Sequence, residues 1–323
     1  MDEQGKLLDE PGKAEKRAER PTERTGESTA DRPAGQSAEE PATNRVGSNI
    51  VVGTSGYSFE DWVGNFYPAH IRKGDMLKEY CKHFTVVEVN STYYRIPHAA
   101  VLARMEEKTP VGFEFVIKAN QEMTHKTSKD SALYMSFKDA LKPVIDAGKF
   151  GGVIAQFPWG FKPTPEAREH LEFLREKFDE VGEKGSEVGR CPLFVEFRNA
   201  DWINEDLFES LKARAIGYCS VDEPRLKGLV PPIARVTTDV GYVRLHGRNA
   251  KNWWGGSGSR GGSGGRSDRY DYLYSEDELQ EWVAKIRSMS QMATKTYVFF
   301  NNCHAGQAAR NAKLMKELLS LPL

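Results

Sequence analysis

The chain has 323 residues, 39% of them hydrophobic and 28% charged, with a formal net charge of -1. That length accommodates one core of about 250 residues plus a tail, the size of a single barrel domain. The balanced charge excludes a general, charge-driven nucleic-acid binder, and the absence of any apolar run of about 18 residues excludes a membrane-spanning helix.

Residues 1–47 mix charged residues with Pro, Gly, Ser and Thr and contain almost no aromatic or β-branched aliphatic side chains. Such a stretch buries too little apolar surface to offset its chain entropy, so it is expected to be a disordered tail. The domain proper is expected at 48–323. The start of the chain, with Asp2 and Glu3, has neither a signal-peptide apolar region nor an acid-poor transit sequence. Cys81, Cys191, Cys219 and Cys303 are scattered without a CxxC or pairing pattern. Reduced thiols and a cytoplasmic location are the expectation.

From residue 50 onward, short apolar runs recur, and each ends in a polar residue. Ile50–Gly53 leads to Thr54 and Ser55, Val86–Val89 to Asn90, and Phe113–Ile117 to Lys118. Val153–Ala155 leads to Gln156 and Leu193–Phe197 to Arg198. Tyr218–Val221 leads to Asp222, Tyr242–Leu245 to His246, and Tyr297–Phe300 to Asn301 and Asn302. Helical patterns fill most of the gaps. Pro165–Phe178 carries Leu171, Leu174 and Phe178 at helical spacing. Ser275 with Glu278 reads as a capping box before Leu279, Trp282, Val283 and Ile286, and Gln307–Leu319 forms a last helix. Eight strand–helix units with chemistry at the strand C-termini predict a single (β/α)8 TIM-barrel-like domain. Residues 255–267, rich in Gly and Ser and carrying Arg260 and Arg266, predict a flexible insertion after the seventh strand.

Barrel strands are ordinarily apolar on both faces. Three of these strands carry polar residues two apart, hence on one face: Glu88 with Asn90, Glu196 with Arg198, and Arg244 with His246. An unpaired charge in the lumen would cost several kcal/mol, so these groups must pair or meet a ligand. Glu88 and Glu196 suit an acid/base pair. Lys118, Arg198 and Arg244 suit an anion clamp of phosphate or carboxylate type. A charged, ion-paired Lys118 would be unreactive as a Schiff-base amine. His125 and His246 are candidates for a proton shuttle. Together with Glu88, Glu196 and Asp222 they also form the competing divalent-metal arrangement. The clustered cations favour the metal-free reading, so no cofactor is expected. Cys303 and His304 are adjacent and would point apart. Aromatics gather around the first loops at Tyr57, Phe59, Trp62, Phe66, Tyr67, Tyr93 and Tyr94, and later at Trp159, Phe161, Trp202, Trp253 and Trp254. Some must be core, and those in strand–helix loops are candidates for a stacking wall.

The runs Val52–Ser58, Asp61-Trp62, Phe66–Pro68 and Val87–Pro97 resemble the YecE-like family (domain of unknown function 72). The likeness continues through Phe115–Ala119, Met123–His125, Val195–Arg198, Tyr242–Arg248, Arg269–Tyr274 and Phe300–Asn302, and spans about residues 50–320. The resemblance implies a TIM-barrel-like fold, likened to sugar isomerases and endonuclease IV, with no established activity. It points to Glu88, Asn90, Lys118, His125, Gln156, Glu196, Arg198, Arg244, His246 and Asn302 as the site. Asn199-Ala200-Asp201-Trp202 departs from the family's more usual His-Pro-x-Trp, and the Gly/Ser insertion is also atypical.

The leading expectation is an enzyme acting on a phosphorylated or carboxylated sugar-like substrate. Glu88, Glu196, His125 and His246 would be catalytic. Asn90, Tyr94, Lys118, Gln156, Arg198, Asp222, Arg244 and Asn302 would bind substrate. One alternative is a metal-dependent nucleic-acid phosphodiesterase. Another is a non-catalytic anion- or partner-binding protein, which predicts a sealed ion-pair network.

Overall fold

A computed structural model describes residues 49–180, 190–254 and 268–322. The tail at 1–47 and the insertion at 255–267 lie outside the described residues. Eight parallel strands close into a barrel in sequence order, β8 pairing back onto β1. They are β1 (Ile50–Ser55), β2 (Val86–Val89), β3 (Glu114–Lys118), β4 (Phe150–Gln156), β5 (Leu193–Glu196), β6 (Gly217–Asp222), β7 (Val240–Leu245) and β8 (Lys295–Phe300). The α-helices among the described residues are α1 (Met76–Tyr80), α2 (Ala99–Glu106), α3 (Gln121–Thr124), α4 (Ser131–Asp146), α5 (Pro165–Asp179), α6 (Glu205–Ala213), α7 (Glu276–Met292) and α8 (Gln307–Leu318).

Local chemistry sets several helix starts. Thr164 caps α5 by accepting from the Ala167 N–H at 3.3 Å, and Pro165 occupies the first turn, where no N–H is needed. At α7 the capping box forms in full: Ser275 Oγ accepts from the Glu278 N–H while Glu278 Oε2 accepts from the Ser275 N–H.

The expected eight strand–helix units are interrupted once. All eight strands form, but no helix lies between β6 and β7. The connecting segment holds Pro224, Gly228, Pro231 and Pro232, which withhold backbone donors and break helical geometry. It folds irregularly instead, and Gly228 takes a left-handed φ of +83°.

The lumen is filled in layers. Nearest the N-terminal end of the barrel, Glu114 pairs with Lys295 and accepts from Tyr297 Oη at 2.8 Å. Above it, Phe194, Tyr242, Tyr297 and Phe299 pack ring on ring, with Phe194–Tyr242 centroids 4.6 Å apart. Gly151 makes room for them, since a Cβ there would sit 2.7 Å from Tyr297 Oη. The charged layer and the mouth cavity lie above these rings.

Candidate functional site

Glu88 and Glu196 turn into the lumen from β2 and β5 and meet on one guanidinium. Arg244 of β7 donates from Nη2 to Glu88 Oε1 at 2.7 Å and from Nη1 to Glu196 Oε2 at 2.5 Å. Tyr242 Oη donates to Glu88 Oε2 at 2.8 Å. Arg198 continues the chain of charges, with Nη2 2.7 Å from Glu196 Oε1 and Nη1 donating to Glu223 Oε2 at 2.7 Å. Glu223 Oε1 accepts the Val230 N–H at 3.0 Å, which ties the helix-free β6–β7 segment to the network.

Every member of this layer is buried. Burial alone would raise the Glu196 carboxyl; Arg198 and Arg244 outweigh it and hold the group well below the usual carboxylate range. Burial raises Glu223 to about 7 despite its contact with Arg198. His246 is lowered to about 3, first by burial and then by Arg198, so its ring is neutral at pH 7. Its Nδ1 lies 2.9 Å from Asn301 Nδ2 and its Nε2 3.3 Å from Glu196 Oε1.

Above this layer opens a cavity of about 690 Å³ at the C-terminal mouth of the barrel. Strand-end residues Asn90, Lys118, Gln156, Arg198 and Asn301 form its floor. Tyr57, Tyr93, Tyr94, Trp159, Trp253 and Trp254 form much of its wall, and His125, Arg269 and Tyr270 also line it. No Asp or Glu side chain is among the described lining residues. Lys118 Nζ donates to Gln156 Oε1 at 3.0 Å and sits 4.6 Å above the Tyr93 ring. Burial, then Arg244, lower the Lys118 ammonium to about 7. Asn90 Oδ1 is buried without a hydrogen-bond partner among the described residues. Arg269 stacks on Trp253 at 5.2 Å, and Arg198 reaches the same ring at 5.5 Å.

The sequence-derived candidates therefore fall into three groups. Asn90, Tyr94, Lys118, His125, Gln156 and Arg198 line the cavity. Glu88, Glu196, Arg244 and His246 lie beneath it, joined to one another. Asp222 and Asn302 do not line it. Asp222 accepts from Arg248 at 2.8 and 2.9 Å, from Tyr274 Oη at 2.8 Å and from Trp282 Nε1 at 2.7 Å. Asn302 Nδ2 donates to Asn311 Oδ1 at 2.9 Å. Strand alternation explains both placements: Cys219 and Asn301 turn inward toward Glu196 and His246, so their neighbours on the opposite face meet the helices.

Of the aromatics near the first loops, Trp62 and Tyr67 are buried core, as is Trp202 farther along. The Asn199–Trp202 turn braces the mouth: Asn199 Nδ2 donates to the Trp159 carbonyl at 3.1 Å. Trp159 Nε1 donates to the Gly228 carbonyl at 3.0 Å, so the β6–β7 segment pins that wall. Cys303 and His304 diverge, Cys303 Sγ approaching the Ser55 carbonyl and His304 the Asp271 carboxylate.

Sequence reasoning did not single out Glu223, Arg269 or Asn301 as site residues. Asn301 stands at the end of the eighth apolar run beside the chosen Asn302, Glu223 is detectable only as the neighbour of Asp222, and Arg269 as a cation beside an aromatic after the insertion. Among the described residues, no group of three or more His, Cys, Asp or Glu side chains is placed to hold a metal ion. The donor set also fits one poorly, because the Glu88 and Glu196 carboxylates are already taken by guanidinium groups. None of the described helices is long and apolar enough to cross a membrane.

The family model described as "Protein of unknown function DUF72" matches residues 51–322. UPF0759 protein YunF of Bacillus subtilis (strain 168) is 31% identical over 284 residues, covering 84% of this chain and 95% of that protein. UPF0759 protein YecE of Escherichia coli (strain K12) is 28% identical over 259 residues, covering 75% and 85%. A solved DUF72 family protein from Thermotoga maritima MSB8 superposes with a TM-score of 0.73 at 38% identity, covering 84% of this chain and 99% of that one. Another, from Enterococcus faecalis V583, gives 0.72 at 27% identity, covering 85% and 96%. With the barrel, the strand-end polar residues and these matches in agreement, the chain belongs to the DUF72 family.

Proposed function

We propose that this protein is an enzyme whose mouth cavity takes a small anionic, sugar-like ligand bearing a phosphate or carboxylate, with Lys118 as the proton-transfer group. The observation that carries the reading is the cavity lining, in which Lys118, Arg198 and Arg269 stand without a carboxylate among the described lining residues. Cations so arranged favour an anion, and the aromatic wall offers flat faces for a ring. Asn90 Oδ1 and Gln156 supply neutral polar groups for hydroxyls.

The acid/base role expected for Glu88 and Glu196 passes to Lys118. Both carboxylates lie beneath the floor, Glu88 bonded to Arg244 and Tyr242 and Glu196 ion-paired with Arg244 and Arg198, whereas Lys118 reaches the cavity and changes charge near neutral pH. A metal-dependent phosphodiesterase gains no support from this donor set. A non-catalytic anion-binding protein is a second reading, favoured by the sealed network itself. Four unpaired thiols support a cytoplasmic setting.

Trp159, Trp253 and Trp254 make binding visible by intrinsic fluorescence. Glucose 6-phosphate or gluconate should quench or shift it at concentrations where glucose does nothing. Arg269→Ala should weaken the anionic ligand by roughly tenfold, about 1.4 kcal/mol. Equal response to glucose and its phosphate would refute the anion reading. Proton exchange catalysed by wild type and lost in Lys118→Met would separate the enzyme from the binder.

A further inference from the structure

Lys118 is an amine held beside cations with no acid of its own. It ends β3 at the floor of the cavity, and its one hydrogen-bond partner among the described residues is the neutral Gln156 Oε1. The nearby carboxylates that would ordinarily pair with it, Glu88 and Glu196, are both engaged by Arg244. No carboxylate among the described residues forms an ion pair with Lys118, unlike the surface lysines Lys82, Lys126 and Lys129, which each have one. A lysine so placed beside a guanidinium loses its proton readily, which is one physical route to a nucleophilic amine. The Tyr93 face favours the ammonium, yet burial and Arg244 bring the group to about 7.

We infer that Lys118 is a covalent catalytic residue whose Nζ condenses with the carbonyl of a ketone or aldehyde carrying a carboxylate or phosphate, forming an imine. This deepens the preceding reading, on which it rests for the anionic part of the substrate. The Nζ lone pair forms the new C–N bond, and the carbonyl π pair moves to oxygen, which takes up a proton. The resulting carbinolamine then loses water: the C–O bond breaks, nitrogen gives up its remaining proton, and its lone pair completes the C=N bond. One water leaves per imine, and nothing is oxidised or reduced. Protonated, the imine draws electrons from the adjacent carbon and so activates a neighbouring C–H or C–C bond. Arg198 and Arg269, on the same cavity, are the groups to hold the substrate's anion.

The test uses the full chain with pyruvate and, separately, dihydroxyacetone phosphate. Tryptophan fluorescence first reads binding of each ketone; sodium borohydride then reduces any imine to a stable secondary amine. Intact mass and peptide mapping should find one adduct per chain, at Lys118, and none in Lys118→Arg, which keeps the charge but cannot form an imine. The wild type alone supplies a second readout: trapping should rise with pH about a midpoint near 7, whereas surface lysines respond near 10.4. Adducts spread over surface lysines, or binding of either ketone without trapping, would overturn the imine while leaving the anion site intact. Neither binding nor trapping would remove both.

Discussion

Arg244 shows how a single side chain decides what its neighbours can do. One guanidinium pairs with carboxylates from two strands across the lumen and holds Glu88 and Glu196 beneath the cavity floor, while Glu196 Oε1 lies beside Arg198 without a hydrogen bond among the described residues. Desolvating three charges costs several kcal/mol per ion, and the short bonds from Arg244 to each carboxylate, with Tyr242 and Arg198 beside them, offset it. Removing one partner should therefore be far worse than removing the set. Arg244→Met should lower unfolding free energy by about 3–5 kcal/mol, because buried Glu88 loses its cation and Glu196 keeps Arg198 alone. Adding Glu88→Gln and Glu196→Gln to that variant should recover much of the loss. Midpoints of chemical denaturation for the single and triple variants check both expectations. Lys118 lies at the opposite extreme: deprived of those carboxylates, it keeps an amine that faces the cavity and titrates near neutrality.

At the scale of elements, the two capping devices and the helix-free segment have different weights. The Ser275 box contributes locally to α7, which in turn places Trp282 against Asp222. Ser275→Ala should cost about 1 kcal/mol of stability in denaturant titration while leaving ligand binding unaltered, because the cap is remote from the cavity lining. The β6–β7 segment acts differently. Its prolines prevent the helix that the alternating pattern would otherwise place there. The irregular chain instead reaches the mouth, where Leu229 lines the cavity and the Gly228 carbonyl takes the Trp159 indole. A strand–helix connection would have met the barrel's side; this one builds its rim.

For the whole molecule, the buried charges set how stability varies with pH. His246 titrates at about 3 when folded and near 6.5 when unfolded, so the unfolded chain binds the extra proton between those values. Its contribution is lost as pH falls through that window. Glu223 runs the other way: raised from 4.5 to about 7, it is protonated when folded and ionised when unfolded, so its contribution falls as pH rises from 4.5 to 7. The two oppose each other between about 4.5 and 6.5. Below 4.5 the Glu196 carboxylate, depressed by Arg198 and Arg244, adds its own loss. The thermal midpoint should thus be nearly flat from pH 6.5 to 4.5 and drop steeply below. In Glu223→Gln, the decline should begin at 6.5, as a pH series of thermal melts would reveal.

Much of this molecule was legible along the chain. Eight apolar runs ending in polar residues predict the strands, because period and burial are local properties, and the Ser275 box and Pro165 mark helix starts for the same reason. The two-residue spacing of Glu88 with Asn90, Glu196 with Arg198 and Arg244 with His246 already places each pair on one face. The partition of those groups was not legible. Whether Glu196 meets a ligand or an arginine depends on strands far apart in sequence closing into a barrel, and on the lumen's depth at each register. The inward turn of Asn301 and outward turn of Asn302 depends on a one-residue phase, as does the burial of Asp222 against α7. Sequence alone determined the barrel and the polar ring. Tertiary structure decided which of those polar groups neutralise one another and which are left facing the cavity, because charge pairing in a closed lumen is set by distances across it.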